Sequence, residues 1–177
     1  MSTNERILSP FTLPNGTELK NRLLMAPMTT CTGYYDGTVT SELVEYYRAR
    51  AGSIGTIIVE CCFVDDLGLA FPGAIGIDND EKIAGLAKIA DAIKSKGSKA
   101  LLQIYHGGRM VDPKLIGGRT PVGPSAVAAP RDGAATPVAL TAEEVEGMIG
   151  KFGEAVRRAI QAGFDGVEIH GANTYLI

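Results

Sequence analysis

The sequence predicts an α/β fold, a (β/α)8 TIM barrel of which these 177 residues hold an N-terminal hairpin and the first four strands. Apolar strand-like segments alternate with amphipathic helical segments, which is typical of parallel strands covered by helices. The first strand-to-helix loop, residues 27–33, lacks the Gly-x-Gly-x-x-Gly pattern that a doubly wound dinucleotide-binding sheet would carry. A whole barrel usually needs about 250 residues, so four strands make half of one.

The N-terminal elements are a hairpin, a strand and a helix. Asn15-Gly16 is a strong turn signal, and we expect a small hairpin within residues 1–20, with apolar stretches at 7–8 and 11–13. Residues 22–26 form the first predicted barrel strand, which Pro27 ends. A helix follows over residues 41–51, with acidic residues in its first turn, where the helix dipole favours them.

Three further strands and two helices complete the predicted pattern. The strands are residues 56–61, 99–105 and 166–170. Asp78-x-x-Glu81 predicts a capping box for the second helix, and Thr141-x-x-Glu144 predicts another for the third. Gly97 and Gly163 are the predicted stops of these two helices. Residues 107–140 form a long loop rich in Gly and Pro, which we place over a site at the carboxyl ends of the strands.

Composition excludes several classes of partner. The net charge is −3 and no Lys/Arg run provides a basic patch, so we expect no nucleic-acid partner. No apolar run reaches about 18 residues and the N-terminus is polar, so we expect no membrane association. Cys61 and Cys62 are adjacent on a predicted strand, where their side chains point to opposite faces and cannot share a disulfide. With Cys31 they make an odd count, which favours a reducing cytoplasmic setting.

The residues after the last predicted strand are the first candidates for chemistry. His170, Asn173 and Tyr175 follow an apolar strand, at the sheet edge where α/β enzymes place their active sites. A His and an Asn can aim two hydrogen-bond donors at one carbonyl oxygen and stabilise negative charge there. A Tyr hydroxyl two residues further on can donate a proton. The alternative is a helix start, in which Asn173 or Thr174 caps and Tyr175 packs.

Polar residues on the strands form a second group. Gln103 needs a partner, because an unsatisfied buried amide costs about 1–3 kcal/mol. A cofactor with amide-like edges would satisfy it, and so would a backbone or loop group. Glu60 and Glu168 must be paired if they are buried, and we expect an ion pair between Glu168 and Arg22. Thr29 can either donate to a ligand or cap its own loop.

The segment His106-Gly107-Gly108-Arg109 directly follows a predicted strand. Its glycine pair is compatible with a phosphate-binding nest, but we favour loop geometry with Arg109 as a tether. Cys61 and Cys62 have no neighbouring base in the sequence, so we expect them to fill the core instead of acting as nucleophiles.

In this order and spacing, segments along the whole chain resemble the Old Yellow Enzyme family of FMN-dependent NADH:flavin oxidoreductases. The matching segments are residues 20–29, residues 57–60, Gln103 with His106-x-Gly-Arg109, residues 123–126 and residues 162–170. The resemblance implies that residues 1–177 are the N-terminal half of one flavin-binding barrel domain. Residues 1–20 would be its hairpin and residues 21–177 would contain its first four strands.

The resemblance also implies roles for individual residues. The backbone from Ala26 to Thr29 would lie along the flavin ring, and the Thr29 hydroxyl would bond the flavin carbonyl near N5. Cys61 would take the place of a small residue against the ring, and Gln103 would pair with the pyrimidine edge. The implied cofactor-binding residues are Ala26, Pro27, Met28, Thr29, Cys61, Gln103 and His170.

The implied reaction passes hydride from NADH or NADPH through flavin N5 to an activated alkene, an enone-like electron acceptor. His170 and Asn173 would hold the carbonyl oxygen of the substrate, and Tyr175 would protonate its α-carbon. Thr29 matches the classical branch of the family, whereas residues 106–109 and 123–126 match the bacterial branch. The flavin-phosphate site and a cationic residue beside the ring come from later strands of the family's barrel.

Three alternatives remain open from the sequence. The first is a 2,4-dienoyl-CoA-reductase-like flavoenzyme, which adds an iron–sulfur cluster. The second is an inactive half-barrel, which lacks function without its C-terminal half. Half a barrel has two open sheet edges, so we expect a homo-oligomer or pairing with the missing half. The third is a flavin-free metal-dependent lyase that uses Glu60, Glu168 and His170.

Overall fold

The computed structural model describes residues 3–177. Four helices lie in this range: α1 (Thr3–Leu8), α2 (Ser41–Arg50), α3 (Ile83–Lys94) and α4 (Ala142–Gln161). The eight strands are β1 (Phe11–Thr12), β2 (Glu18–Leu19), β3 (Leu24–Met25), β4 (Thr56–Phe63), β5 (Lys99–Tyr105), β6 (Val122–Gly123), β7 (Val138–Ala139) and β8 (Gly166–Ile169).

Residues 3–19 combine a short helix with an antiparallel strand pair. β1 and β2 pair across the Asn15-Gly16 turn, where Gly16 has a φ of 85° and donates its N–H to the carbonyl of Leu13. The apolar stretch at residues 7–8, expected in the hairpin, lies in α1 instead. It has no strand partner, since β2 is already paired with β1, and the polar residues before it show no period-two alternation.

The main sheet has four parallel strands in the order β3-β4-β5-β8, which is also their order along the chain. Consecutive parallel strands that lie side by side are what successive βα units of a barrel produce, whereas a doubly wound sheet reverses its order at a switch point. The α/β barrel-type architecture predicted from the sequence is therefore confirmed. β6 and β7 form a separate two-stranded pair within the long loop.

Helices α2, α3 and α4 pack on one face of the main sheet. Their buried apolar residues meet the strand residues Ile57, Val59, Leu102 and Ile104 in the main core. At the start of α4 both hydrogen bonds of the predicted capping box are present, because Thr141 and Glu144 each accept from the other's backbone N–H. Burial of these helix faces supplies most of the apolar contact that holds the sheet.

The predicted capping box at residues 78–81 was wrong. Asn79 caps a 3-10 turn over Asp80–Lys82, which leads into α3, by accepting from the N–H of Glu81 at 3.1 Å. The Asp78 carboxylate instead accepts from Lys82 Nζ at 2.5 Å. The Asp78 carboxylate therefore bonds the charged Lys82 side chain instead of the backbone N–H of Glu81, which a capping box would require.

A β-bulge interrupts the pairing of β4 with β5. Val59 pairs with Leu102 and Cys62 with Ile104, so Glu60 and Cys61 together stand opposite one residue of β5. Cys62 lies in the main core, while Cys61 lies in a second cluster with Phe63 and Tyr105. The bulge thus changes the direction of two side chains near the carboxyl end of β4.

The edge of the sheet beside β8 carries an exposed apolar surface. Ile149, Ile169 and Ile177 are 59%, 58% and 62% exposed, and they line a cavity of about 350 Å³ together with Leu140, Met148, Phe152 and Leu176 among others. Such a surface is typical of a packing interface, here beside the strand where a barrel continues. Across residues 3–177, no helix is both long and apolar enough to cross a bilayer.

Candidate active site

The predicted site residues gather at the carboxyl end of the main sheet. Since the four strands are parallel, the segments that follow them emerge at the same end. Residues 26–33 follow β3, and the tail after residue 169 follows β8. Cys61 and Gln103 lie near the carboxyl ends of β4 and β5.

The segment after β3, residues 26–30, is apolar at its start and polar at its end, and we call it the ledge. Ala26 is exposed and the side chain of Met28 is 53% exposed. Thr29 Oγ1 lies 3.2 Å from Cys61 Sγ, which joins the end of this segment to β4. The site thus has an apolar surface, the Thr29 hydroxyl at its border and the Gln103 amide on β5. This combination fits a planar heterocycle with polar edges, such as a flavin ring.

Gln103 and Glu168 satisfy one another. Gln103 Nε2 donates to Glu168 Oε1 at 2.7 Å, across the register that pairs these two residues of β5 and β8. The partner of Gln103 is therefore a strand carboxylate, not a backbone or loop group. Gln103 lies near the carboxyl end of β5, which β4 separates from β3.

The expected ion pair between Arg22 and Glu168 was wrong. Arg22 Nη1 donates to the carbonyls of Arg6, Ser9 and Pro10 at 2.9–3.2 Å, and its guanidinium stacks on the Phe11 ring at 4.8 Å. Arg22 lies before β3 and contacts the N-terminal segment, so its side chain is used where the barrel strand begins. Glu168 lies on β8, which is separated from β3 by two strands.

The tail after β8 forms a turn and not a helix start. Asn173 and Thr174 have φ values of 58° and 57°, and Tyr175 donates its N–H to the carbonyl of Ala172. Left-handed backbone is unfavourable for a β-branched residue such as Thr174, and strain of this kind is concentrated at functional sites. The turn brings the rings of His170 and Tyr175 together and leaves Asn173 exposed.

His170 is positioned as a hydrogen-bond donor through its Nε2 atom. The N–H of Ala172 donates to His170 Nδ1 at 3.3 Å, so the ring proton lies on Nε2. The His170 ring lies 4.7 Å from the Tyr175 ring between centroids. The Nε2–H group is therefore available to a carbonyl oxygen next to the phenol.

Tyr175 is a half-buried phenol in an aromatic group. Its ring centroid lies 5.6 Å from that of Tyr105 and 6.4 Å from that of Phe71. Burial, and then the charge that a Cys61 thiolate would carry, raise the pKa of the Tyr175 hydroxyl above its ordinary value. Tyr175 consequently keeps its proton at neutral pH, as a proton donor must.

Residues 106–109 support this tail. His106 is buried and its Nδ1 accepts from the Gly108 N–H at 3.0 Å, while its carbonyl accepts from the Leu176 N–H at 3.1 Å. Because the Gly107 N–H donates to the carbonyl of Gly68, both glycine N–H groups are occupied and form no phosphate nest. Arg109 donates to the carbonyl of Ala128 at 3.4 Å, the tether that was expected.

The cysteines of β4 are poor nucleophiles. Burial raises the pKa of the Cys61 thiol to about 11, although the Thr29 contact lowers it slightly, and burial raises the pKa of Cys62 well above its ordinary value. Among the described residues, no group of three or more His, Cys, Asp and Glu side chains is arranged to hold a metal. Glu60, Glu168 and His170 therefore do not converge on a common ion site.

Sequence reasoning missed four residues that shape the site. Thr30 and Tyr47 hydrogen-bond Glu60, while the rings of Phe71 and Tyr105 pack against the ring of Tyr175. Only Tyr105 had a usable signal, since it stands two residues after Gln103 and so lies on the same face by period-two alternation. The others come from separate loops and a helix, which no local pattern connects to the strands.

Comparison with known proteins gives consistent results. A family model described as NADH:flavin oxidoreductase / NADH oxidase matches residues 6–177. Over 177 residues the chain is 87% identical to the NADH:fumarate oxidoreductase of Klebsiella pneumoniae, and it covers 19% of that protein. It is 59% identical over 172 residues to the NADH:acrylate oxidoreductase of Vibrio harveyi; that match covers 97% of this chain and 17% of the relative.

A solved structure, the old yellow enzyme homologue of Zymomonas mobilis, matches with a TM-score of 0.88 and 34% identity, over 96% of this chain and 49% of that one. The chain thus spans less than a fifth of the two curated relatives and about half of this structure, as the N-terminal part of an Old Yellow Enzyme barrel. It belongs to the NADH:flavin oxidoreductase / NADH oxidase family.

Proposed function

We propose that the protein containing this chain is an FMN-dependent oxidoreductase that takes hydride from NADH or NADPH and passes it to an activated alkene. The observation that carries the proposal is that the rings of His170 and a protonated Tyr175 lie together at the end of β8, at the same end of the sheet as the Thr29–Cys61 contact. Bound FMN would supply the redox chemistry by accepting and returning hydride at N5.

The residues of this chain supply binding and proton transfer. The flavin ring would lie against the ledge residues Ala26, Pro27, Met28 and Thr29 and against Cys61 of β4, with Gln103 on β5, the strand after β4. His170 Nε2–H and the Asn173 amide would donate to the oxygen of the group that activates the alkene, which lowers the cost of negative charge developing there. Tyr175 would then transfer its proton to the α-carbon of the alkene.

For the substrate class we propose an α,β-unsaturated carboxylate. The support is that two relatives are named for their action on fumarate and acrylate, which are both alkenes activated by a carboxylate. A carboxylate oxygen is a stronger acceptor for the two proposed donors than a ketone oxygen. A phenolic or enone ligand would occupy the same pair of donors.

A second candidate function is that this site only transfers electrons from NADH or NADPH to the flavin, while the alkene is reduced elsewhere in the protein. More than four fifths of each of those two relatives lies outside the part that matches this chain, so a separate site there has room to reduce the alkene. In that case His170 and Asn173 would hold the carboxamide oxygen of the nicotinamide, which presents the same kind of acceptor.

Half-reaction kinetics of Tyr175→Phe in the full-length protein separate the two functions. If the alkene is reduced here, reoxidation of reduced flavin by the alkene slows about 10²-fold or more, the usual contribution of a positioned acid, while reduction by NADH does not. Equal rates of alkene-driven reoxidation in wild type and variant would remove Tyr175 as the proton donor and favour electron input. His170→Ala and Asn173→Ala should weaken binding of phenolic ligands with FMN still bound.

A further inference from the structure

Glu60 is a buried carboxylate that the proposed reaction does not use. Its exposed fraction is 0%, and within residues 3–177 none of the ion pairs includes it. Burying a carboxylate without a cation is costly unless hydrogen bonds compensate. Since burying Glu60 is unfavourable and an apolar residue would fill the same space, we ask what its carboxylate does next to Cys61.

Three donated hydrogens meet the two oxygens of this carboxylate. The Thr30 N–H donates to Oε1 at 3.1 Å, the Thr30 hydroxyl lies 3.0 Å from Oε2, and the Tyr47 hydroxyl donates to Oε2 at 3.1 Å. The Tyr47 oxygen in turn accepts from the Glu60 N–H at 2.8 Å. Glu60 therefore connects the segment after β3 to helix α2 through the bulge of β4.

The segment that Glu60 holds is the proposed flavin ledge. Consecutive residues of β4, Glu60 and Cys61, contact consecutive residues of the ledge, Thr30 and Thr29. The bulge makes this possible, because two residues of β4 occupy the space opposite one residue of β5. Since the ledge is exposed at Ala26 and Met28, these contacts are what anchor its far end.

We infer that Glu60 is a positioning residue for the flavin, which fixes the Thr29–Thr30 peptide and so sets the direction of the Thr29 hydroxyl. The inference rests on the proposed function, because it assumes that the ledge carries FMN. Thr29 touches the cofactor in this account, and Glu60 acts only through Thr29 and Thr30. Replacing the carboxylate should therefore change the flavin environment as well as the stability.

The test uses the full-length protein loaded with FMN and the variants Glu60→Gln, Thr29→Val and their combination. Glutamine keeps the volume of the side chain, but its NH2 group replaces an acceptor with a donor that faces the hydroxyls of Thr30 or Tyr47. The measurements are the midpoint potential of the bound flavin and its dissociation constant. We expect Glu60→Gln to shift the potential and to weaken FMN binding roughly tenfold, the equivalent of one hydrogen bond between uncharged groups, such as that of the Thr29 hydroxyl to the flavin carbonyl.

The combined variant decides how Glu60 acts. If Glu60 acts by positioning Thr29, the potential shift caused by Glu60→Gln should disappear in the Thr29→Val background. A shift of the same size in both backgrounds would mean that the charge acts directly through space, and would overturn the inference. A lowered melting temperature with an unchanged potential would show a packing role alone, and would also overturn it.

Tyr47→Phe is the matched control, because it removes the bonds of Tyr47 to the Glu60 carboxylate and to the Glu60 N–H but leaves the bonds from Thr30 in place. It should lower the melting temperature with a smaller potential shift than Glu60→Gln. If Glu60→Gln does not fold, Thr30→Val serves instead, since it removes the hydroxyl and keeps the N–H; an unchanged potential there would overturn the inference. A wild-type protein that binds no FMN would refute the proposed function itself, which is a separate outcome.

Discussion

Replacing Gly108 with alanine should disturb the support of the tail after β8, residues 170–177. Gly108 has a φ of 54°, and a Cβ there would lie 2.7 Å from the Leu176 nitrogen, 2.8 Å from the Leu176 Cα and 3.0 Å from the Tyr175 carbonyl carbon. All three are backbone atoms, so no flexible side chain can move aside. Left-handed backbone costs an L-residue about 1–2 kcal/mol, and overpacking adds about 1–3 kcal/mol. We expect Gly108→Ala to lower the free energy of unfolding by about 2–5 kcal/mol.

Gly117→Ala measures the backbone part of this cost alone, so the difference between the two variants gives the steric part. Gly117 has a φ of 69°, but nothing lies within 4 Å of a Cβ placed there, so its variant should lose only about 1–2 kcal/mol. Urea unfolding measures both variants, and amide exchange at Leu176, whose N–H donates to the His106 carbonyl, reports the contact locally. Equal losses in the two variants, with unchanged exchange at Leu176, would refute the packing argument.

Two further predictions concern polar partners. A double-mutant cycle on Arg22 and Glu168 should show coupling below about 0.5 kcal/mol in urea unfolding, whereas the Gln103 and Glu168 cycle should exceed it, because only the latter pair is hydrogen-bonded. Burial lowers the pKa of His106 to about 4. Between about pH 6.5 and pH 4 the unfolded chain therefore binds a proton that the folded chain does not bind. The contribution of His106 to stability is consequently lost as the pH falls through this range. His106→Asn should remove roughly 3 kcal/mol of that pH dependence; a pH profile identical to wild type would count against it.

The sequence predicted features that depend on local contacts. The turn at Asn15-Gly16 and the capping box of Thr141 and Glu144 each involve residues no more than four positions apart. The alternation of strands and helices follows from periodicity that is likewise local. The turn, the capping box and the alternation are found as predicted, because the residues that form them are close together in the chain.

The prediction failed where a side chain had more than one possible partner. Arg22 was expected on Glu168, yet nearby carbonyls of the N-terminal segment surround its guanidinium. Asp78 was expected to cap a helix, but Lys82 lies within reach and carries a charge. In both cases the residue type predicts the need for a partner, and only the positions of competing groups decide which partner meets it.

By itself, the sequence determined the order and type of the main elements and the residues available for chemistry. The tertiary structure decided the bulge at Glu60 and Cys61, the left-handed turn before Tyr175 and the pairing of Gln103 with Glu168. The contact of Glu60 with Thr30 joins residues 30 positions apart in the chain, and the contact of Gln103 with Glu168 joins residues 65 positions apart. A hydrogen bond tolerates only a few tenths of an ångström, so its partner depends on the strand register and packing, which no local pattern of residues contains.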